Sequence, residues 1–234
     1  MKTNIIFVIF LIPFLVLMGC RTPVDPDTKP EDEVEDEESF WDDIETHLGH
    51  LGEEFDLPAG TMKNWAANFS GEAFLTPVLE KHTSEGTIYE GFKTLRLDES
   101  ETEYPGVRIG YFDEELLYPW NDFFSNEGIS STEENLLIQR FNAITIFDDD
   151  EEFVFYGLLF RRYSNTISVY WMFANTDANI SGSYIESART IYINLELKEG
   201  WNRIINVFDE DTRDRRLYVG PEPENVEWIY EFFD

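Results

Sequence analysis

Apolar residues first occur as a block and only later as a period. Ile5–Met18 is an uncharged apolar run of 14 residues behind the single positive charge of Lys2. A bilayer span takes ~20 residues, so the run matches the apolar region of a secretory signal instead. It ends in Leu17-Met18-Gly19-Cys20. Residues 21–39 then invert the composition, with three prolines, nine acids, two basic residues and only Val24 and Val34 as apolar side chains. Such a stretch cannot bury enough surface to offset its chain entropy. Proline and like-charge repulsion extend it, and at ~3.1 Å per residue it could reach about 60 Å. The expected organisation is a signal over 1–19, a tether over 20–39 and one domain over 40–234.

Helical spacing follows in one place. Phe40, Ile44, Leu48, Leu51 and Phe55 recur at three and four residues, and Ser39 with Asp42 makes an N-terminal cap. This predicts a short helix over Ser39–Phe55, weakened by Gly49 and Gly52. From Gly60 the period becomes two. Lys63–Phe69 alternates Trp65, Ala67 and Phe69, and Thr166–Ala174 alternates Ile167, Val169, Trp171 and Phe173. Thr190–Leu197 alternates Ile191, Ile193, Leu195 and Leu197. Glu227–Phe233 closes the chain in the same way. This is the pattern of strands with one buried face. "NAITIF" and "EFVFYGLLF" flank an acidic turn, and "LLFRRY" and "TISVYW" flank a tight one, so both pairs read as hairpins. Eight or nine strands with short polar connections predict a mainly β domain, a single antiparallel β-sandwich of immunoglobulin-like or related type. A closed barrel is the second choice.

Charge narrows the partners. The chain carries a formal −31, and residues 40–234 hold 39 acids against 14 bases, or −25. Generic nucleic-acid binding needs basic surface and is excluded. Lying flat on anionic headgroups is disfavoured too.

Cys20 is the only cysteine, so an exported chain of this kind uses no disulfide. The 195 residues after the tether are enough to stand on a core burying ~70% of the unfolded surface. The Leu17–Cys20 segment resembles the lipobox of bacterial lipoproteins. The resemblance implies diacylglycerol on the Cys20 thiol, cleavage before it and acylation of the new amino group. A thiolate suits thioether formation, and at ~0.8 kcal/mol per buried CH₂ two or three acyl chains anchor a domain firmly. Arg21 rather than Asp follows the cysteine, which by the same resemblance sorts the protein to the outer membrane, facing periplasm or cell surface. The acidic cluster beginning at Glu31 loosely resembles surface-export signals.

Leu197-Lys198-Glu199-Gly200-Trp201-Asn202 reads L-K-x-G-W-N. This resembles uncharacterised small β-sandwich lipoproteins of diderm bacteria, in which a Y-x-x-A-D-x-x-I-x-G-(S/T) segment precedes it. Tyr170–Ser183 matches that segment with Asn175 and Thr176 inserted before Asp177, and Trp228 matches a late tryptophan. The likeness covers about Phe153–Tyr230 and implies an architecture, with no activity attached. Lys198–Gly200 reads as a hairpin turn with Gly200 free for positive φ. Asn202 is placed to bridge the turn backbone.

Candidate sites are few. Aromatic residues are 16% of the chain. Trp65, Trp171, Trp201 and Trp228 lie in alternating segments and are expected in the core. Trp120 lies in a loop with Tyr118, Phe123 and Phe124, either a plug over the core or a platform for a glycan or protein ligand. Asp148, Asp149 and Asp150, with Glu151 and Glu152, cluster oxygens, as do Asp209, Asp211 and Asp214. Neither run has calcium-loop spacing, and acidic turns are ordinary. His47 and His50 are three apart with His82 remote, so zinc would need carboxylates. No Ser–His–Asp grouping stands out, although a carboxylate pair is defined by distance and not by sequence. The expectation is a non-enzymatic, membrane-anchored lipoprotein without a cofactor, which binds a partner or has a structural role. A glycan-binding module of a nutrient-uptake system is the alternative, and a tethered hydrolase the third reading.

Overall fold

Alternating β-branched and aromatic residues form strands wherever the alternation lasts, because such side chains pack well on a pleated surface. The computed structural model describes residues 45–65, 72–83, 86–91, 95–98, 102–110, 114–141, 143–148, 155–163 and 165–232. Signal, Cys20 and tether lie outside these residues. The described residues are mainly β, with one large mixed sheet and a second small one.

The longest segments build the frame. β14 (Ile167–Ala174) and β17 (Gly200–Phe208) pair antiparallel along their full length, from Ile167↔Val207 to Ala174↔Gly200. β15 (Ala178–Glu186) and β16 (Arg189–Leu197) form a hairpin across the tip Ser187–Ala188, where both residues have positive φ. β18 (Arg215–Val219) pairs antiparallel with β17 and parallel with β16. It therefore stands between two strands that follow one another directly in sequence.

On the far edge of β14 the sheet forks. β11 (Leu137–Phe141) pairs with the last half of β14, and β13 (Phe155–Tyr163) pairs with its first residues. β12 (Ala143–Asp148) continues from β11 and pairs with β13. Both expected hairpins, β12–β13 and β13–β14, are present. β13 also carries β19 (Glu227–Phe232), and β12 carries β4 (Glu72–Thr83), which extends to β5 (Gly86–Gly91) and β6 (Leu95–Asp98). β3 (Gly60–Lys63) lies parallel to β19 and carries β7 (Glu103–Tyr104). The small sheet is β2 (Phe55–Leu57) with β8 (Val107–Ile109).

The fork produces two cores that share β14 and β17. Val169, Trp171 and Phe173 of β14 face the first, with Trp201 and Ile205 of β17. Trp65, Trp228 and Tyr230 complete it, and the small sheet covers one side with Phe55, Leu57 and Ile109. Tyr170, Met172 and Ala174 face the second core, with Ile204, Val219, Ile180 and the four apolar residues of β16. Trp65, Trp171, Trp201 and Trp228 are all buried, as their alternation predicts. Trp171 stacks on Trp228 at 6.0 Å and on Phe55 at 5.8 Å.

Several sequence expectations change. The described part of Ser39–Phe55 is a 3-10 turn over Thr46–Gly49, then β1 (His50–Gly52) and the start of β2. An α-helix cannot run on through it because His50 pairs with Asn202, and Gly49 is so close to β18 that a Cβ would lie 2.4 Å from Val219. Residues 39–44 lie outside the described set. Of the strand expected over Lys63–Phe69, Lys63 ends β3 and Asn64 turns the chain at φ 64, while residues 66–69 lie outside the described set. The sheet is mixed, not purely antiparallel, because β16–β18 and β19–β3 are parallel. β14 is buried on both faces, not one, because it is the wall between two cores. The described residues hold 19 strands. Segments of two to four residues are too short to show alternation.

Candidate functional site

The aromatic loop singled out by Trp120 is a strap. β9 (Tyr118–Pro119) pairs with β11, and β10 (Ile129–Ser131) pairs with β15. The single helical turn Trp120–Phe123 joins these two outer strands. It is tied in by Trp120 N–H donating to Leu136 O at 3.1 Å and Phe124 N–H donating to Trp120 O at 3.1 Å. Phe124 is buried in the second core. Trp120 and Phe123 are half-buried against it, and Tyr118 is half-buried with its ring edge-on to Phe123 at 5.2 Å. Gly128 and Gly182 let strap and sheet meet, since a Cβ on Gly182 would lie 2.0 Å from Gly128 O.

Beside the strap, the strand registers gather a polar group that no single stretch of sequence contains. Arg140 of β11 faces the same side as Ile138, and its guanidinium carbon stands 5.7 Å from the Phe123 ring and 5.8 Å from the Tyr170 ring. Arg215 of β18 faces the same side as Leu217 and Val219 and covers the Phe208 ring at 5.8 Å. Burial pushes the Tyr170 phenol up to about 12, opposed by the charge of Arg140, raised further by Tyr184, and opposed again by Arg215. Tyr184 of β15 is also raised, by burial first and Glu186 second, while Arg215 opposes. Asn206 Nδ2 donates to Ser168 Oγ at 3.0 Å. Asn206 Oδ1 and Arg215 Nε are buried without a hydrogen-bond partner. Sequence reading missed this group because Arg140 and Arg215 lie on non-consecutive strands. The only signal was a basic residue within an otherwise apolar β pattern.

The L-K-x-G-W-N segment is a turn held by side chains. Asn202 is fully buried, donates to Lys198 O at 2.8 Å and Gly200 O at 3.0 Å, and accepts from Lys198 N–H at 3.0 Å. Asp177 accepts from Glu199 N–H and from Lys198 Nζ, both at 2.9 Å, which lowers its pKa through the backbone bond first and the lysine second. Gly200 has φ +97, and a Cβ there would lie 2.6 Å from Gly52 O. Trp201 fills the first core against Phe55 and Phe173 at 5.2 and 5.6 Å. The reversal is therefore real, but the strands it joins do not pair as a hairpin, because β18 lies between them.

The acidic runs differ in what can be said of them. Asp148 ends β12, while Asp149, Asp150, Glu151 and Glu152 lie outside the described residues. Asp209 caps its own turn, accepting from Asp211 N–H at 2.8 Å and Thr212 N–H at 3.1 Å, and Asp214 accepts from Thr190 N–H at 2.9 Å. These oxygens are used in holding the β17–β18 connection. Among the described residues no group of three or more His, Cys, Asp or Glu could hold a metal ion. His47 and His50 are both exposed, the first in the 3-10 turn and the second in β1. Among the same residues no helix is long and apolar enough to cross a membrane. Compared with protein-family models, curated proteins and solved structures, the chain matches none.

Proposed function

We propose that this chain is an exported lipoprotein, anchored in the outer membrane through lipid on Cys20, whose β-sandwich binds a ligand without transforming it. The observation that carries the anchoring is the only cysteine of 234 residues, standing at the end of a 14-residue apolar run and at the start of an acidic, proline-containing tether. Three acyl chains in the bilayer suffice to hold a domain of −25 at a surface that its charge would otherwise avoid. The resemblance to small lipoproteins of diderm bacteria is part of the same reading. Its motif residues Asp177, Lys198, Gly200, Trp201 and Asn202 serve turn and core, which suits an architectural likeness without a shared activity.

Glycan binding is the more specific form of the reading. It is favoured by the half-buried rings of Trp120 and Phe123 beside polar groups on the same side of the sheet. Anchoring is tested by detergent-phase partition and radiolabelled palmitate incorporation in a diderm host. The wild type enters the detergent phase and is labelled, and Cys20→Ala is neither. A Cys20→Ala protein that still partitions and labels refutes the anchor. Protease shaving of intact cells then reports which side of the outer membrane the domain faces.

A further inference from the structure

In a domain with 39 acids to 14 bases, a basic side chain ordinarily finds a carboxylate. Lys63, Arg108, Arg161, Arg162, Lys198, Arg203 and Arg216 each do. Among the described residues Arg140, Arg189, Arg213 and Arg215 do not, and of these Arg140 and Arg215 stand over aromatic rings on the side of the second core. Neither has a carboxylate partner among the described residues; Arg140 stands 5.8 Å from the Tyr170 ring, and the charge of Arg215 opposes the rise of the same phenol. Their guanidiniums lie over aromatic faces, Phe123 and Tyr170 for one and Phe208 for the other. A guanidinium over aromatic rings is oriented without being neutralised. Its N–H fork stays available for an incoming anion, and a planar carboxylate matches that fork.

The surroundings add further ligand chemistry. Tyr184 stands on β15 opposite Ile191, which pairs in turn with Arg215, so the second phenol and the second guanidinium share one level of the sheet. Asn206 offers an unpartnered carbonyl oxygen and Ser168 a hydroxyl. β10 pairs with β15 at Ile180–Gly182, and among the described residues no strand pairs with Ser183–Glu186 on that side. The strap packs Trp120 and Phe123 against the same core. Donors for a carboxylate, partners for hydroxyls and apolar rings for a sugar face thus lie on one side of the second core.

We infer that Arg140, Tyr170, Tyr184 and Arg215 form a binding site for an acidic oligosaccharide, with each guanidinium holding a carboxylate and the strap rings an apolar sugar face. This rests on the ligand-binding part of the proposed function and is independent of the anchor. The net negative charge of the domain does not prevent it, because at physiological salt the Debye length is ~8 Å and the two arginines dominate locally.

The test uses the full chain in neutral detergent micelles and isothermal titration with tetragalacturonate, its carboxyl-reduced neutral counterpart, and succinate. The acidic tetrasaccharide binds saturably. The neutral counterpart, and the Arg140→Met and Arg215→Met variants, each lose roughly tenfold or more in affinity, the scale of a charge-assisted hydrogen bond. Arg140 is exposed, so its substitution leaves the fold intact and keeps the test valid if Arg215→Met misfolds. Equal binding of acidic and neutral tetrasaccharides, or of wild type and Arg140→Met, overturns the carboxylate site while glycan binding stands. Succinate binding as tightly as the tetrasaccharide overturns the sugar assignment and leaves the anion site. No binding by any of the three overturns both the site and glycan binding.

Discussion

Asn202→Ala tests the turn most directly. The side chain is fully buried and makes three hydrogen bonds to the backbone of the β16–β17 connection, two as donor and one as acceptor. Each is worth about 0.5–1.5 kcal/mol net, and truncation strands Lys198 N–H, Lys198 O and Gly200 O without replacing them. The expected loss is about 3 kcal/mol. For a domain of this size that is roughly 6–12 °C in Tm, or on the order of 1–2 M in the urea midpoint with the slope unchanged. Asn202→Asp sharpens the test. It keeps the volume and the acceptor for Lys198 N–H but turns two donors into a carboxylate facing two carbonyl oxygens. At pH 7 it destabilises more than the alanine variant. Burial and the two carbonyls raise the folded pKa of the introduced carboxyl, so its deficit shrinks as pH falls and the protonated group regains one donor. Urea unfolding followed by tryptophan fluorescence at pH 5 and pH 7 gives both numbers. An Asn202→Ala midpoint within about 0.3 M of wild type, on the scale of an ordinary surface substitution, refutes the reasoning.

Two glycines of positive φ, Gly182 at +133 and Gly52 at +85, differ in whether a close approach is added. Gly182→Ala puts a methyl 2.0 Å from Gly128 O and destabilises by roughly 2 kcal/mol or more, whereas Gly52→Ala, at φ +85 with nothing within 4 Å, costs about 1 kcal/mol; equal midpoints in thermal unfolding contradict this. Asp177 has a lowered folded pKa, held there by Glu199 N–H and then Lys198. Its contribution is therefore present above the unfolded value of about 3.9 and lost as pH falls through the lower folded value. Asp177→Asn is less stable at pH 7 and shows a shallower loss below pH 4 in an acid titration of stability, and a parallel acid curve refutes the assignment.

Legibility followed the length over which one periodicity held. β14 and β16 carry eight and nine residues, and their apolar positions were assigned from alternation alone. The hairpins around β13 followed from short turns between such runs. β1, β7 and β9 have two or three residues each and exist because longer strands offer an edge, His50 to Asn202 and Tyr118 to Ile138 among them. No local pattern specifies that. Over 45–55, the described part of the segment expected as a helix, Leu48, Leu51 and Phe55 sit in a 3-10 turn and two short strands because the chain folds there across the edge of β17. At the candidate site, Tyr118, Trp120, Phe123 and Phe124 were visible as aromatics in a loop, but their strap geometry depends on which strands flank them. Arg140 and Arg215 were not visible at all.

The sequence by itself determined what composition and short-range order control. These are the β class, the four core tryptophans and the side-chain bridge at Asn202. Each depends on neighbours a few residues apart or on a side chain too apolar to leave in water. Only the tertiary structure decided that β18 enters between β16 and β17, that β14 divides two cores, and that two arginines and two tyrosines share one side of the second. Those outcomes depend on pairing between strands tens of residues apart. Register fixes it only when every strand has found its neighbours.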